Sequence, residues 1–162
     1  MGGVVLVEGI TDRIALEAVA ERLGADLGGV EIVPIGGAQA IRRAFAPYEG
    51  ERVAGLCDAG EERWFRRVLG DATHVCVEDL EDELLRAVGI SRVEEVLAAQ
   101  QDLDTFRNFQ NQLFWRGRPV ESQLRRWLQN GGRQHRYPPH LVEAMEPDEI
   151  PRPLAGVLEA VA

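Results

Sequence analysis

The first ninety residues alternate short apolar runs with amphipathic stretches, and this alternation constrains the fold more than any other feature. The apolar runs lie at residues 4–7, 31–35, 53–57 and 74–77. Stretches with helical spacing follow them at residues 11–23, 38–46, around 64–69 and 80–88. Near-continuous apolar strands separated by helices are typical of a parallel sheet covered on both faces. We therefore predict an α/β fold for residues 1–90.

After Gly89 the strand pattern disappears, and the rest of the chain has helical spacing only. Helices are predicted at residues 91–97, 103–113, 120–128, 141–145 and 154–161. Pro138 and Pro139 are expected to break the chain before the fourth of these. A chain of 162 residues suits one domain with a small addition. We predict an α/β domain at residues 1–90 and a helical extension at residues 91–162 that packs on or beside it.

The composition excludes several classes of protein. All 18 basic residues are Arg, so the chain has no lysine-containing phosphate loop and no lysine base. No apolar run is long enough for a transmembrane helix, and the N-terminus lacks the pattern of a signal peptide. We therefore expect a cytoplasmic protein. Cys57 and Cys76 lie inside apolar runs and are predicted to be buried thiols without a catalytic role.

Acidic residues follow three of the four predicted strands. Glu8 comes after the first strand, Asp58 after the third and Glu78 after the fourth. Further acids occupy the turns that follow, namely Asp12, Glu61, Glu62, Asp79, Glu81, Asp82 and Glu83. The carboxyl ends of parallel strands meet at one edge of a sheet, where functional groups gather. Oxygen ligands without His or paired Cys suit Mg²⁺ or Mn²⁺ better than zinc.

Some of these acids have an alternative explanation. An acid in the first turn of a helix is favoured by the helix dipole, by roughly 0.3–1 kcal/mol. Glu8 and Asp58 fit this explanation less well, because each ends a strand and precedes small residues that allow a ligand close to the backbone. These two residues are therefore the first candidates for a catalytic metal site.

Three motifs together resemble a known family. They are V-E-G-I-T-D at residues 7–12, D-A-G-E at 58–61 and V-E-D-L-E at 77–81. This set is similar to the TOPRIM domain, the catalytic module of bacterial primases, topoisomerases and the overcoming-lysogenization-defect (OLD) nucleases, and it is most similar to the OLD branch. The likeness covers roughly residues 3–90. The stretches at 79–84 and 116–126 also resemble those of small stand-alone OLD-like TOPRIM proteins.

The resemblance implies a role for each matching residue. Glu8 would act as metal ligand or general base, and Asp12 would help to hold a second metal. Asp58 would be the first acid of the family's D-x-D motif. Position 60 is Gly, so Glu61 would replace the second acid, and Glu81 would support the metals. The family's Lys is absent, so activation of water would fall to the metal ions.

The basic residues are concentrated near the C-terminus. Residues 105–140 contain seven Arg against one acid, Glu121, for a net charge of +6, although the whole chain has a net charge of −9. Aromatic residues are interleaved with these arginines, as in proteins that bind single-stranded nucleic acid. The candidates for such contacts are Arg116, Arg118, Arg125, Arg126, Arg133, Arg136 and Trp115. The alternative is that the aromatic residues form core and the arginines pair with acids of the α/β domain.

These observations predict a Mg²⁺- or Mn²⁺-dependent phosphodiesterase that acts on nucleic acid, in the first place DNA. Two alternatives stay open. One is a catalytically weak module that binds metal or nucleic acid and works with a partner, and the other is a nucleotidyl transferase. The expected partners besides nucleic acid are a separate ATPase or another protein, and a second copy of the chain in a homodimer.

Overall fold

A computed structural model describes residues 2–162, and its centre is a parallel sheet of four strands. The strands are β1 (Gly3–Val7), β2 (Glu31–Pro34), β3 (Arg52–Asp58) and β4 (Thr73–Cys76). They lie in the order β2-β1-β3-β4, and all neighbouring pairs are parallel. The predicted α/β fold is confirmed. Each predicted strand boundary agrees with the observed one to within about one residue, because buried parallel strands have unbroken apolar sequences.

Helices connect the strands and cover both faces of the sheet. They are α1 (Ile10–Leu23), α2 (Ile41–Phe45), α3 (Glu62–Leu69) and α4 (Leu80–Val88). The stretch predicted as one helix at residues 38–46 is instead a short α2 between two 3₁₀ turns, Ala38–Ala40 and Ala46–Tyr48. Pro47 lies in the second turn, where its fixed φ suits the tighter winding.

The C-terminal part is helical. It contains α5 (Ile90–Ala99), α6 (Leu103–Gln110), α7 (Val120–Leu128), α8 (Arg133–Glu143) and α9 (Arg152–Glu159). The predicted break at Pro138 and Pro139 is wrong, because both residues lie inside α8. Each proline removes one backbone hydrogen-bond donor. The buried face of α8, which includes Tyr137 and Leu141, packs along α1 and stabilises the continuous helix.

The two faces of the sheet carry cores of different size. Residues Leu6, Ile41 and Phe65 belong to the smaller core, under α2 and α3. The larger core continues from α1 into α4 and the C-terminal helices and includes Trp127 and Leu154. The helices of residues 90–162 therefore pack on the α1 side of the sheet and share its core.

The two thiols are buried in the sheet. Cys57 is 2% exposed and Cys76 is 1% exposed. Burial raises the pKa of Cys57 to about 12 and that of Cys76 still further. Both side chains are therefore protonated and act as small apolar groups. None of the helices in residues 2–162 combines the length and the apolar character that crossing a membrane requires.

Candidate metal centre

Four of the five predicted metal ligands line one cleft at the carboxyl edge of the sheet. Glu8 follows β1 and Asp58 ends β3, the neighbouring strand. Glu81 lies in the first turn of α4, which follows β4, and Asp12 lies in the first turn of α1. The cleft has a volume of about 390 Å³. Parallel topology brings these acids together although they are up to seventy-three positions apart in the sequence.

Backbone groups orient two of these carboxylates. The Asp58 N–H donates a 3.0 Å hydrogen bond to Glu8 Oε1, and the Gly9 N–H donates one of 3.0 Å to Asp12 Oδ2. In each carboxylate one named oxygen is therefore engaged by a main-chain N–H from the neighbouring segment. Each side chain is thus held by one of its oxygens.

Burial, followed by the charges of neighbouring acids, raises the pKa values of the cleft carboxylates. Burial, followed by the charges of Glu8 and Asp12, raises the pKa of Asp58 to about 8. Burial is also the main cause that raises the pKa of Asp12 to about 6, and Glu8 and Glu81 add to it. The pKa values of Glu8 and Glu81 are raised by burial as well. Crowded, half-buried carboxylates of this kind are a mark of functional sites.

The donor set fits a hard divalent cation. Every charged side chain that lines the cleft is a carboxylate, and neither His nor Cys is among its lining residues. In the described part of the chain, no three His, Cys, Asp or Glu side chains already form a closed ligand set. Binding of a metal would therefore require rotation of these carboxylates toward a common point.

Glu61, the fifth predicted ligand, lies beside Glu8 but outside this cleft. Its charge raises the pKa of Glu8, after burial, and it lines the neighbouring groove together with Glu8. Gly60, at the position of the second D-x-D acid, faces open space. The structure thus leaves the second-acid position of the cleft without a carboxylate, and the role of Glu61 as a ligand stays a prediction.

Arg125 has a contact that the sequence did not reveal. From α7 it donates to Glu78 Oε2 at 2.7 Å and, through Nε, to Asp79 Oδ2 at 2.9 Å. Asp79 also caps α4, because its Oδ1 accepts a 2.9 Å hydrogen bond from the Asp82 N–H. The two acids that follow β4 therefore share one arginine as an ionic partner, in contrast with the acids of the cleft.

Four of the five other arginines predicted to bind nucleic acid also have contacts within the protein. Backbone carbonyls accept hydrogen bonds from Arg116, Arg118 and Arg133, and Asp102 forms an ion pair with Arg136. Arg126 is exposed and has no such partner among residues 2–162. Trp115 is half-buried, with its ring 5.2 Å from that of Phe109. Nucleic-acid binding by this set stays a prediction.

Residues 2–51 match the sequence model of a family described as overcoming lysogenization defect protein-like, TOPRIM domain. This part of the chain is therefore similar to an OLD-like TOPRIM domain. The match includes Glu8 and Asp12 and ends just before β3. TOPRIM domains generally bind divalent metal ions, and an OLD-like one indicates a metal-binding function related to nucleic acid.

Solved structures share the fold over nearly the whole chain. The C-terminal region of the Burkholderia pseudomallei OLD protein is 19% identical with a TM-score of 0.68, covering 98% of this chain and 95% of that one. The C-terminal region of the Xanthomonas campestris pv. campestris OLD protein is 21% identical with a TM-score of 0.68, covering 98% and 91%. At these identities the likeness concerns the fold. No curated protein matches the chain at a significant level.

Proposed function

We propose that this TOPRIM protein is a Mg²⁺- or Mn²⁺-dependent phosphodiesterase that cleaves nucleic acid. The observation that carries the proposal is the convergence of Glu8, Asp12, Asp58 and Glu81 on one half-buried cleft. Burial and, after it, the like charges of neighbouring carboxylates raise the pKa values of Asp58 and Asp12, and a cation would relieve that repulsion. The oxygen-only donor set favours Mg²⁺ or Mn²⁺ among the divalent cations.

The chain's own residues would position the reaction. Glu8 and Asp58, fixed to each other through the Asp58 N–H, would form the centre of the ligand set, and Asp12 and Glu81 would complete it. A bound cation would polarise the scissile phosphate and lower the pKa of water. Glu8 would serve as ligand or as acceptor of the water proton, for which its raised pKa is suited.

One observation favours a second candidate, a catalytically weak module that binds one metal and acts with a partner. Gly60 supplies no carboxylate to the cleft, and Glu61 lies on the neighbouring groove. A single complete metal site without a second would bind a cation but would stabilise only part of the charge that develops during phosphodiester cleavage.

Cleavage of plasmid and single-stranded DNA in Mg²⁺ or Mn²⁺ tests the main proposal. Glu8→Gln and Asp58→Asn preserve size and remove charge, so both variants should fold and cleave no faster than background. Glu49→Gln is the matched control, because Glu49 is exposed and lies outside the cleft. Equal cleavage by the wild type and both cleft variants would refute the proposal.

Calorimetric titration separates the two candidates. Two divalent-metal sites that both disappear in Asp58→Asn would support the phosphodiesterase. One site in a protein that cleaves neither substrate would support the module.

A further inference from the structure

A second groove adjoins the carboxylate cleft on the β2 side. It has a volume of about 930 Å³, and its lining includes the acids Glu8 and Glu61 together with Arg42 and Arg43 of α2. Both cavities are lined by Glu8, Gly36 and Gly37, so they meet at these residues. A molecule with one group at the carboxylates would therefore extend directly into the groove.

The two arginines of this groove differ from most others in the chain. Arg42 and Arg43 are exposed, and within residues 2–162 their guanidinium groups make no hydrogen bond, ion pair or cation–π contact. By contrast, Arg66 on the next helix pairs with Glu62, and Arg63 stacks on Trp64 at 4.9 Å. Two adjacent unpaired guanidinium groups at the mouth of an acidic cleft are suited to bind an anion.

Part of the groove lining is exposed main chain, at Gly36 and Gly37. Gly36 and Gly37 have φ values of 80° and 127°, which side chains rarely adopt. A Cβ atom added at either position would meet nothing within 4 Å. The backbone conformation therefore requires glycine, and the space above it is available to a ligand that approaches the main chain closely.

We infer that the groove of Arg42 and Arg43 binds phosphate groups of a nucleic-acid strand whose neighbouring phosphate lies at the carboxylate cleft. This inference rests on the proposed function and adds to it the surface that holds the strand. A polyanion alone would be repelled by Glu8, Asp58 and their neighbours. The two arginines supply attraction in the groove that adjoins the cleft, and phosphate contacts of this kind position a strand without reading its sequence.

Binding measured without metal tests the inference. Fluorescence anisotropy in EDTA would follow a labelled single-stranded DNA of about 12 nucleotides, a length in the range that single-strand-binding modules cover. Arg42→Gln/Arg43→Gln should bind about tenfold more weakly than wild type, and the slope of log K against log salt should fall by about 1.4 for two lost contacts. Circular dichroism should show an unchanged fold, because both side chains are exposed.

The matched control is Arg63→Gln/Arg67→Gln, which removes the same charge from α3, outside the groove. It should bind the oligonucleotide within about threefold of wild type, because only long-range attraction is lost. Equal weakening in both double variants would overturn the inference, since net charge alone would then explain binding. Wild-type affinity of the groove variant, or no binding by wild type, would also overturn it.

Competition with a mononucleotide tests whether the groove binds a strand or a single nucleotide. If a deoxynucleoside monophosphate competes as strongly as an unlabelled oligonucleotide, the groove binds a single nucleotide and the inference is wrong. Failure of the proposed function would give a different result. The protein would then bind DNA through Arg42 and Arg43 but would not cleave it. That outcome would refute the phosphodiesterase and would still support the inference about the groove.

Discussion

The carboxyl edge of the sheet and the helices of residues 90–162 differ in how they place charge. In the cleft, half-buried acids such as Asp12 and Asp58 face one another without a basic side chain among the lining residues. In the helices, Arg92 pairs with Glu149 and also donates to carbonyl groups, and Arg107 pairs with Glu94. Paired charges fix helices in place, whereas mutually repelling ones lower stability and persist where they serve a function.

Arg125 joins the two regions, and its loss should have the largest effect on folding. Arg125→Gln would leave Asp79, whose side chain is 14% exposed, without its ionic partner. We expect a loss of about 2–3 kcal/mol in the free energy of unfolding. For a chain of this size the melting temperature should fall by about 4–12 °C, measured by circular dichroism.

The adjacent residue provides the control for that measurement. Arg126→Gln removes the same charge from the same helix, but Arg126 is exposed and lacks a partner within residues 2–162. Its effect should stay within about 0.5 kcal/mol. Equal losses in the two variants would mean that the bridge from α7 to the end of β4 contributes nothing.

Asp102 tests pairing within the helical region. It accepts a 2.5 Å hydrogen bond from the Tyr137 hydroxyl and lies 3.0 Å from Arg136. Asp102→Ala would leave the buried Tyr137 hydroxyl unpaired, and we expect a loss of about 1–2 kcal/mol in urea unfolding at pH 7. Asp104 is an exposed acid two residues further along the chain, and Asp104→Ala should cost no more than about 0.5 kcal/mol.

The same pair gives a prediction about pH. The Tyr137 hydrogen bond, aided by Arg136, lowers the pKa of Asp102 in the folded protein. A lowered carboxyl pKa contributes stability above the unfolded value near 3.9, and this contribution is lost as the pH falls through the folded value. The difference between wild type and Asp102→Ala should therefore be constant above about pH 5 and should narrow below about pH 4. A difference that widens in acid would contradict the pairing.

The contribution of Asp58 to stability should depend on pH in the opposite direction from that of Asp102. Its pKa is raised to about 8, so the metal-free folded protein binds a proton more tightly than the unfolded chain, and stability falls as the pH rises from about 4 to 8. In EDTA, Asp58→Asn should be more stable than wild type by about 1 kcal/mol at pH 8, allowing for screening by water, and nearly equal at pH 4. Chemical denaturation at both pH values measures this, with Glu49→Gln as control. A destabilised variant at pH 8 would show that the cleft acids do not repel one another.

The smallest effect is expected for arginines that already have partners. Arg116→Gln/Arg118→Gln removes two exposed guanidinium groups that donate to the carbonyls of Asn111 and Phe114. Affinity for the single-stranded oligonucleotide should change by less than about threefold, in the assay used for Arg42 and Arg43. A tenfold loss of affinity would mean that the C-terminal arginines, and not Arg42 and Arg43 alone, hold the strand.

The fold could be predicted from the sequence because its strands are fully buried. Unbroken runs such as residues 4–7 have few alternatives, and α1 and α4 end at the predicted residues, where Gly24 and Gly89 follow as caps. The break at Pro138 was predicted wrongly because local propensity was given priority over packing. Burial of Tyr137 and Leu141 against neighbouring helices outweighs the lost backbone hydrogen bonds, and such tertiary contacts leave no local signal.

The candidate site was partly predictable for a similar reason. Parallel topology forces strand-end acids to one edge, so Glu8 and Asp58 could be placed together from their positions alone. The partners of the arginines could not be predicted, because a basic segment has the same composition whether its charges are paired or available. Arg42 and Arg43 were missed for that reason. The one signal that could have indicated them is Gly36-Gly37, directly after β2 and shortly before the arginine pair.

The unequal thickness of the two helical layers has a consequence for motion. Glu8 follows β1 and Asp58 ends β3, and one face of both strands packs on the large core of α1 and the C-terminal helices. The groove of Arg42 and Arg43 lies on the thin layer, where a five-residue helix between two 3₁₀ turns rests on the smaller core. Local opening costs least where few apolar contacts are lost, so amide hydrogens of residues 38–48 should exchange faster than those of α1. The Arg42 and Arg43 side of the groove can thus open locally while the backbone that carries Glu8 and Asp58 stays in place.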